Sequence, residues 1–253
     1  MNPSAPVLWF DELDSTNAEA RRRADAGETG PLWIAARRQT EGRGRRGRVW
    51  ESPEGNLYAT LLTTTDKPPS EAAQLSFVVA LAVAEVCDGW LIHSRNDDER
   101  ATLKWPNDVL IGGRKVAGIL VESGRRLNGD LWLAVGVGLN LSQAPVAPER
   151  PATRLADHFR GEAPPTLEAA LQSLAGAFGG WQLLWDRGGF EPIRMSWIER
   201  AHGLGQPCTA RLGSETVDGV ADGLELDGAL RLRLQDGSVR RIHAGDVFAQ
   251  SAP

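Results

Sequence analysis

The sequence predicts an α/β (α+β) protein: a larger domain of interleaved strands and helices, residues 1–203, followed by a small β-barrel, residues 204–253. Three observations predict it. Short β-prone runs alternate with helical-periodic stretches from Val7 to Ala201. A two-glycine turn, Gly112-Gly113, separates two β-rich runs, which is a strong hairpin signal. From Gln206 the character changes to short β-prone runs separated by Leu212-Gly213-Ser214, Asp227-Gly228 and Asp236-Gly237. With 253 residues, 42% of them hydrophobic, the chain can bury a sizeable core.

Val7 to Phe10 is a short apolar run. Thr16 with Glu19 fits a capping box, with Ser15 or Asp14 as other possible caps, for a helix running to about Ala26. Glycines at 27 and 30 and Pro31 end it. Ser15-Thr16-Asn17 is then either capping alone or a helix N-terminus offering hydroxyls and free N–H groups to a polar ligand. Leu32 to Ala36 reads as a buried strand and Asn56 to Thr65 as another. Pro68-Pro69-Ser70-Glu71 opens a helix whose Ala72, Leu75, Val79, Ala82, Val83 and Val86 recur at core spacing. His93 to Arg100 is polar and loop-like. Strands flank Gly112-Gly113, and Leu131 to Leu141 forms a further one after a turn at Arg125 to Gly129. Pro145, Pro148, Pro151 and Pro164-Pro165 mark loops, and helices follow at about Leu167–Leu184 and Phe190–Ala201. The C-terminal barrel is too small to be very stable alone and is expected to dock on the larger domain.

Between the Leu32–Ala36 and Asn56–Thr65 strands lies the most extreme stretch of the chain, residues 41–50. Four arginines and three glycines fill positions 42 to 48, in a protein of net charge −5. Glycine disfavours an element interior, so this run is a loop that concentrates positive charge on permissive backbone. It suits a solvated loop, a nucleic-acid contact or a small anionic ligand. The acidic balance of the whole chain makes the basic loop a local site.

Arginine supplies 25 of the 28 basic residues, yet Lys104 and Lys115 both flank the hairpin. A lysine kept in so arginine-biased a chain hints at a need for a compact point charge, more so at Lys115, which enters an apolar run containing Gly118. Lys67 stands beside two prolines and suggests no such role. Asp108 reads as a turn residue or as a carboxylate for Mg²⁺ or ribose. Cys87 and Cys208, and His93, His158, His202 and His243, are scattered without metal spacing and read as structural or surface residues. No signal peptide or apolar span of about 18 residues is expected, so the cytoplasm is the default address.

Six motifs in order resemble the biotin protein ligases. They are Asp-Ser-Thr-Asn at 14–17; Gln39 before Gly-Arg-Gly-Arg-Arg-Gly-Arg-x-Trp at 42–50; Ser52-Pro53 with Gly55-Asn56-Leu57-Tyr58; Lys-Trp-Pro-Asn-Asp at 104–108; Arg-Lys-x-Ala-Gly-Ile-Leu-x-Glu at 114–122; and Gly-x-Gly-x-Asn at 136–140. The resemblance implies a mixed sheet flanked by helices, of the class II synthetase and lipoate-ligase kind, and an SH3-like barrel. It implies ATP, Mg²⁺ and biotin as the reactants and metal, and a biotin carboxyl carrier domain as acceptor. Ser15, Thr16, Asn17, Gln39, Gly42, Arg43, Gly44, Arg45, Lys115 and Gly118 would bind biotin. Arg46, Arg48, Trp50, Asn107, Lys115 and Asn140 would bind ATP, with Lys115, Arg45 and Asp108 catalytic and Asp108 toward the metal. The closing Gly245-Asp246-Val247-Phe248 matches only loosely and supplies no site residue. Some ligases of this family carry an N-terminal helix-turn-helix. Six residues before Val7 cannot form one, so a DNA-binding repressor role is not expected. No nucleic-acid or membrane partner is expected, and the enzyme would be a monomer or homodimer. A lipoate or octanoate ligase is the same-class alternative, against which the unbroken loop motif argues. An arginine-loop nucleic-acid module would leave Lys-Trp-Pro-Asn-Asp unexplained.

Overall fold

The computed structural model describes residues 5–91, 99–145, 151–158, 163–213 and 215–249. Most of the loop predicted from His93, together with Pro148 and Ser214, lies outside these residues.

A seven-stranded mixed sheet organises the larger part. Its strands are β1 (Val7–Leu13), β2 (Leu32–Gln39), β3 (Leu57–Thr65), β4 (Ala101–Lys104), β5 (Asp108–Ile111), β6 (Arg114–Arg125) and β7 (Leu131–Leu139). The spatial order is β1-β2-β3-β7-β6-β5-β4. β1 and β2 run parallel and every other neighbouring pair is antiparallel. The predicted hairpin joins β5 and β6, and its glycines take φ of 56° and 73°, conformations that two side-chain-bearing residues would resist.

Alternation along the strands separates two faces. Leu57, Ala59 and Leu61 of β3, with Leu133, Val135, Val137 and Leu139 of β7, point into the main core. There they meet α3 (Leu75–Leu91), α4 (Leu167–Gly188) and α5 (Phe190–Glu199). The opposite face carries a smaller cluster, Ala20 and Ala24 of α1 (Thr16–Asp25) against Ile34, Leu62, Trp132 and Ala134. The part of this second face that α1 leaves uncovered becomes the site.

Four local readings need correction. The helix cap is Ser15, and its side chain makes no capping hydrogen bond. Glu19 cannot reach back as a capping box requires, because Arg22 and Arg23 hold its carboxylate at 2.9 and 2.8 Å. The helix opened by Pro69 breaks into α2 (Pro69–Ala72) and α3, with Gln74 between them buried and accepting from Trp185 Nε1 at 3.0 Å. α5 ends at Glu199, and the chain then lies along the edge of β4, where Leu103 N–H donates to the Arg200 carbonyl at 2.8 Å. Finally, Pro69–Leu91 is long and apolar enough to cross a membrane, against expectation. Its burial between the sheet and α4 accounts for that composition.

The second sheet has five antiparallel strands: β8 (Pro207–Leu212), β9 (Glu215–Leu224), β10 (Leu230–Arg233), β11 (Val239–Ile242) and β12 (Asp246–Ala249), ordered β11-β10-β9-β8-β12. It docks on the first. Trp105 Nε1 donates to the Gly228 carbonyl at 3.1 Å, and Arg194 donates to the Leu224 carbonyl at 3.0 Å. A Cβ on Gly228 would lie 2.7 Å from the Phe77 ring, so glycine permits the close approach.

Candidate active site

Glycines on neighbouring strands make the floor of the site. Gly118 of β6 and Gly138 of β7 are register partners, so the sheet loses two side chains at one place. The Trp50 indole fills that space: a Cβ on Gly138 would meet it at 2.6 Å, and one on Gly118 at 3.0 Å. Gly136, one step along the same face, would put a Cβ 2.1 Å from Asn17 Oδ1. The Gly-x-Gly spacing of β7 is thus set by what lies above it.

The resulting cavity holds about 250 Å³. Ser15, Thr16, Asn17, Gln39, Arg43, Gly44, Arg45, Arg48, Trp50, Asn107, Asp108, Lys115, Gly118 and Asn140 all line it. Gly42 and Arg46 do not. Gly42 sits at the base of the basic loop, where a Cβ would strike the Trp50 carbonyl at 2.3 Å. Arg46, at φ 58°, is 3.7 Å from Asp246. Asn140 reaches the cavity wall, but its Nδ2 donates to the Thr153 carbonyl at 3.0 Å.

One end of the cavity is neutral and densely hydrogen-bonded. Thr16 N–H donates to Gln39 Oε1 at 2.8 Å, and Gln39 Nε2 donates to Ser52 Oγ at 2.9 Å. The buried Thr60 hydroxyl donates to Asn17 Oδ1 at 2.6 Å and lies 2.8 Å from the Thr16 hydroxyl. Asn17 Nδ2 donates to Glu122 Oε2 at 2.7 Å. The side chains of Thr16 and Asn17 therefore have fixed directions before any ligand arrives. Beside them, Arg22 makes a two-armed contact with Asp14 at 2.7 and 2.8 Å, and this hydrogen bonding holds the Asp14 carboxyl down at about 2.

The other end is cationic. Lys115 Nζ is 2.5 Å from Asp108 Oδ1 and 5.0 Å from the centre of the Trp50 ring. Arg45 donates to Asn107 Oδ1 at 3.4 Å, and Asn107 Nδ2 is itself fixed on the Ile119 carbonyl at 2.7 Å. Burial lowers the Arg45 pKa, the mark of a guanidinium partly stripped of water and favourable to an anion. Arg48 grips Asp246 of β12 with both Nη atoms, Nη1 donating to Oδ1 at 3.0 Å, and this contact raises its pKa. Within the loop, Gly44 N–H donates to the Arg48 carbonyl at 2.8 Å and Trp50 N–H to the Gly42 carbonyl at 2.9 Å. The run is thus a tied loop with Arg43 facing Val49. The Trp50 indole N–H is buried with no hydrogen-bond partner among the described residues.

No group of three His, Cys, Asp or Glu side chains comes together among the described residues. Mg²⁺ does not need one: it keeps several waters and is held by one or two carboxylates plus phosphate oxygens. Asp108, at the cavity wall beside Lys115, fits that single-carboxylate role.

Comparison with known proteins interprets this geometry. Residues 9–140 match the biotin/lipoate A/B protein ligase family, and residues 203–249 match the biotin protein ligase C-terminal domain. Over 238 residues the chain is 43% identical to a biotin–[acetyl-CoA-carboxylase] ligase of Paracoccus denitrificans, spanning 93% of this chain and 97% of that one. The chain belongs to the biotin protein ligases. A bifunctional ligase/repressor of Escherichia coli is 30% identical across 97% of this chain and 74% of its own length. The fold superposes on an Aquifex aeolicus biotin protein ligase in complex with biotin and ATP, with TM-score 0.78, 27% identity, and 98% and 99% of the two chains covered.

Several residues that line the cavity of this biotin protein ligase, or hold the residues that do, carry little mark in the sequence. Asp246 is one of these, because its motif matches the family loosely and lies about 200 residues from its arginine partners. Thr60 carried one signal, an aliphatic hydroxyl in a run, Leu57–Leu62, of otherwise aliphatic or aromatic side chains. Gly136, Gly138 and Glu122 stood inside quoted motifs, but only strand alternation shows that they share a face with Asn17 and Trp50.

Proposed function

We propose that this biotin protein ligase joins biotin to ATP in the cavity described, giving biotinyl-5′-adenylate and pyrophosphate, and then passes biotin to one lysine of a biotin carboxyl carrier domain. A single observation carries the assignment of roles: one cavity joins a neutral, pre-oriented hydrogen-bonding wall to a cationic end across a glycine floor. The neutral wall of Ser15, Thr16, Asn17 and Gln39 suits the uncharged ureido head of biotin. Its carboxylate then extends toward Lys115.

In the first step a biotin carboxylate oxygen bonds to the α-phosphorus of ATP, and the bond from that phosphorus to the bridging oxygen breaks. Two anions must approach, so fixed cations offset the repulsion and hold the reactants in line. Lys115 and Arg45 fill that role, Arg48 and Asn107 take the nucleotide side, and Trp50 offers a face for stacking. Gly44 and Arg43, which line the cavity, would close over biotin. Asp108 would hold Mg²⁺, which would further neutralise phosphate charge. In the second step the neutral amine of the carrier lysine attacks the acyl carbon and AMP leaves. Residues 1–203 form the catalytic domain and residues 204–253 a barrel that closes one side of the site. The partner is the carrier domain of a carboxylase, and the setting is the cytoplasm, without a nucleic-acid partner and as a monomer or homodimer.

Titration calorimetry with biotin, lipoate and an RNA oligomer, each with and without ATP, tests this reading. Biotin alone should bind, and more tightly in the presence of ATP. Heat from lipoate or RNA with none from biotin would refute it.

A further inference from the structure

Lys115 has an unusual backbone setting. The β5–β6 register steps from Val109↔Ala117 to Leu110↔Lys115, so Val116 is an extra residue in β6. Such a bulge bends a strand and redirects the neighbouring side chains. On the other side β7 ends at Leu139, opposite Ala117, and offers no strand partner to Lys115.

Residues 151–153 take its place. Lys115 N–H donates to the Pro151 carbonyl at 2.9 Å, and Thr153 N–H donates to the Lys115 carbonyl at 2.8 Å. This short parallel bridge supplies the backbone partners that β7 does not. The seating of 151–153 rests in turn on a chain of buried polar groups. The Thr153 hydroxyl lies 2.9 Å from His158 Nε2, and His158 Nδ1 lies 2.8 Å from Glu99 Oε2. Thr153 is 1% exposed and His158 5%. An ionised carboxylate can only accept, so the proton of the His158–Glu99 bond sits on Nδ1, and Nε2 is left to face the Thr153 hydroxyl.

Glu99 leads directly into β4, β4 pairs with β5, and the first residue of β5 is Asp108, the carboxylate that meets Lys115 Nζ. The constraints therefore close on themselves: the backbone of Lys115 is fixed through Thr153, His158 and Glu99, and its ammonium through Asp108 on the same β4–β5 unit. The order Glu-His-Thr has the form of a nucleophile-activating triad. Burial of the Thr153 hydroxyl, which does not line the cavity, denies it any substrate.

We propose that Glu99, His158 and Thr153 are positioning residues for Lys115, seating the 151–153 segment that aims its ammonium into the site. Its bearing on turnover rests on the role given to Lys115 in adenylation. The chain has only three lysines, which allows a direct readout. Protein labelled with ¹³C at lysine Cε gives one signal each for Lys67, Lys104 and Lys115, the last assigned with Lys115→Arg. In Thr153→Val and His158→Gln the Lys115 signal should move while those of Lys67 and Lys104 stay.

The kcat for adenylate formation should fall about tenfold, the cost of a small misplacement of a reacting group. The KM for biotin should stay within about twofold, because the neutral wall is untouched. Thr153→Ser, which keeps the hydroxyl, should restore both readouts. If Thr153→Val does not fold, Glu99→Gln, which keeps an acceptor oxygen, should show a smaller shift in the same direction. Folded variants whose Lys115 signal and kcat match wild type would overturn the proposal, as would equal movement of all three lysine signals. A displaced Lys115 signal with unchanged turnover would uphold the positioning and remove Lys115 from the chemistry.

Discussion

Lys115 is where compact charge matters most at the scale of single residues. It stands between the Asp108 carboxylate and the face of Trp50, and no other lysine lines the cavity. Removing one preorganised charge donor from a developing anion costs about 10²–10³ in rate, so Lys115→Ala should slow pyrophosphate release by that factor with biotin and ATP saturating. Lys115→Arg should rescue poorly, because a planar fork cannot occupy the place of an ammonium. Near-wild-type adenylation by the alanine variant would take Lys115 out of the mechanism. Asp14 makes a separate prediction. Its folded pKa of about 2 lies below its ordinary 3.8, so its carboxylate supports the fold above about pH 4. That support is lost as pH falls through about 2. Since the pair with Arg22 is partly exposed, the effect should stay below about 1 kcal/mol. Urea unfolding of wild type and Asp14→Asn should differ at neutral pH and converge near pH 2. A gap that widens on acidification would contradict the assignment.

At the scale of elements the basic loop is the part expected to retain the proposed intermediate. Glycines at 42, 44 and 47 alternate with arginines, and Arg45 anchors the loop on Asn107 across the cavity. Arg45→Gly removes that anchor and adds backbone freedom. The closed loop should lose about 1–3 kcal/mol, the range for a charged hydrogen bond, or roughly 5–150-fold in adenylate escape. Released mixed anhydride would acylate lysines of any bystander. Incubating the variant with biotin, ATP and albumin, then blotting for biotin, should reveal labelled albumin that the wild type does not produce. An adenylate that is made but stays bound as long as in wild type would show that the arginines bind substrate without acting as a lid.

Taken as a whole molecule, the C-terminal sheet is part of the site. Asp246 of β12 holds Arg48 and lies within reach of Arg46, so both side chains are tied down before any ligand binds. Ordering a free side chain on binding costs about 0.5–1.5 kcal/mol, so Asp246→Ala should raise the KM for ATP about 2–12-fold. Biotin affinity measured without ATP should be unchanged. A KM for ATP equal to or below that of wild type would mean that Asp246 restrains the arginines rather than presenting them. The docking contacts at Gly228 and Leu224 explain how so small a sheet keeps Asp246 in register with the loop.

The sequence alone determined whatever depends on neighbours along the chain. The core face of α3 follows from helical spacing, the β5–β6 hairpin from two glycines, and the loop from a composition no regular element tolerates. The candidate residues were legible for the same reason, since the matching motifs are contiguous. Only the tertiary structure decided which of those residues share a cavity. Arg46 and Gly42 belong to the loop motif yet stand off the cavity, one on Asp246 and the other packed under Trp50. Asp246, Thr60 and the Glu99–His158–Thr153 chain carried no comparable mark, because each acts on a partner distant in sequence or across strands. Spacing along a chain encodes the face of a strand or helix. The meeting of two faces is set by packing, where many weak contacts compete and no single residue announces the outcome.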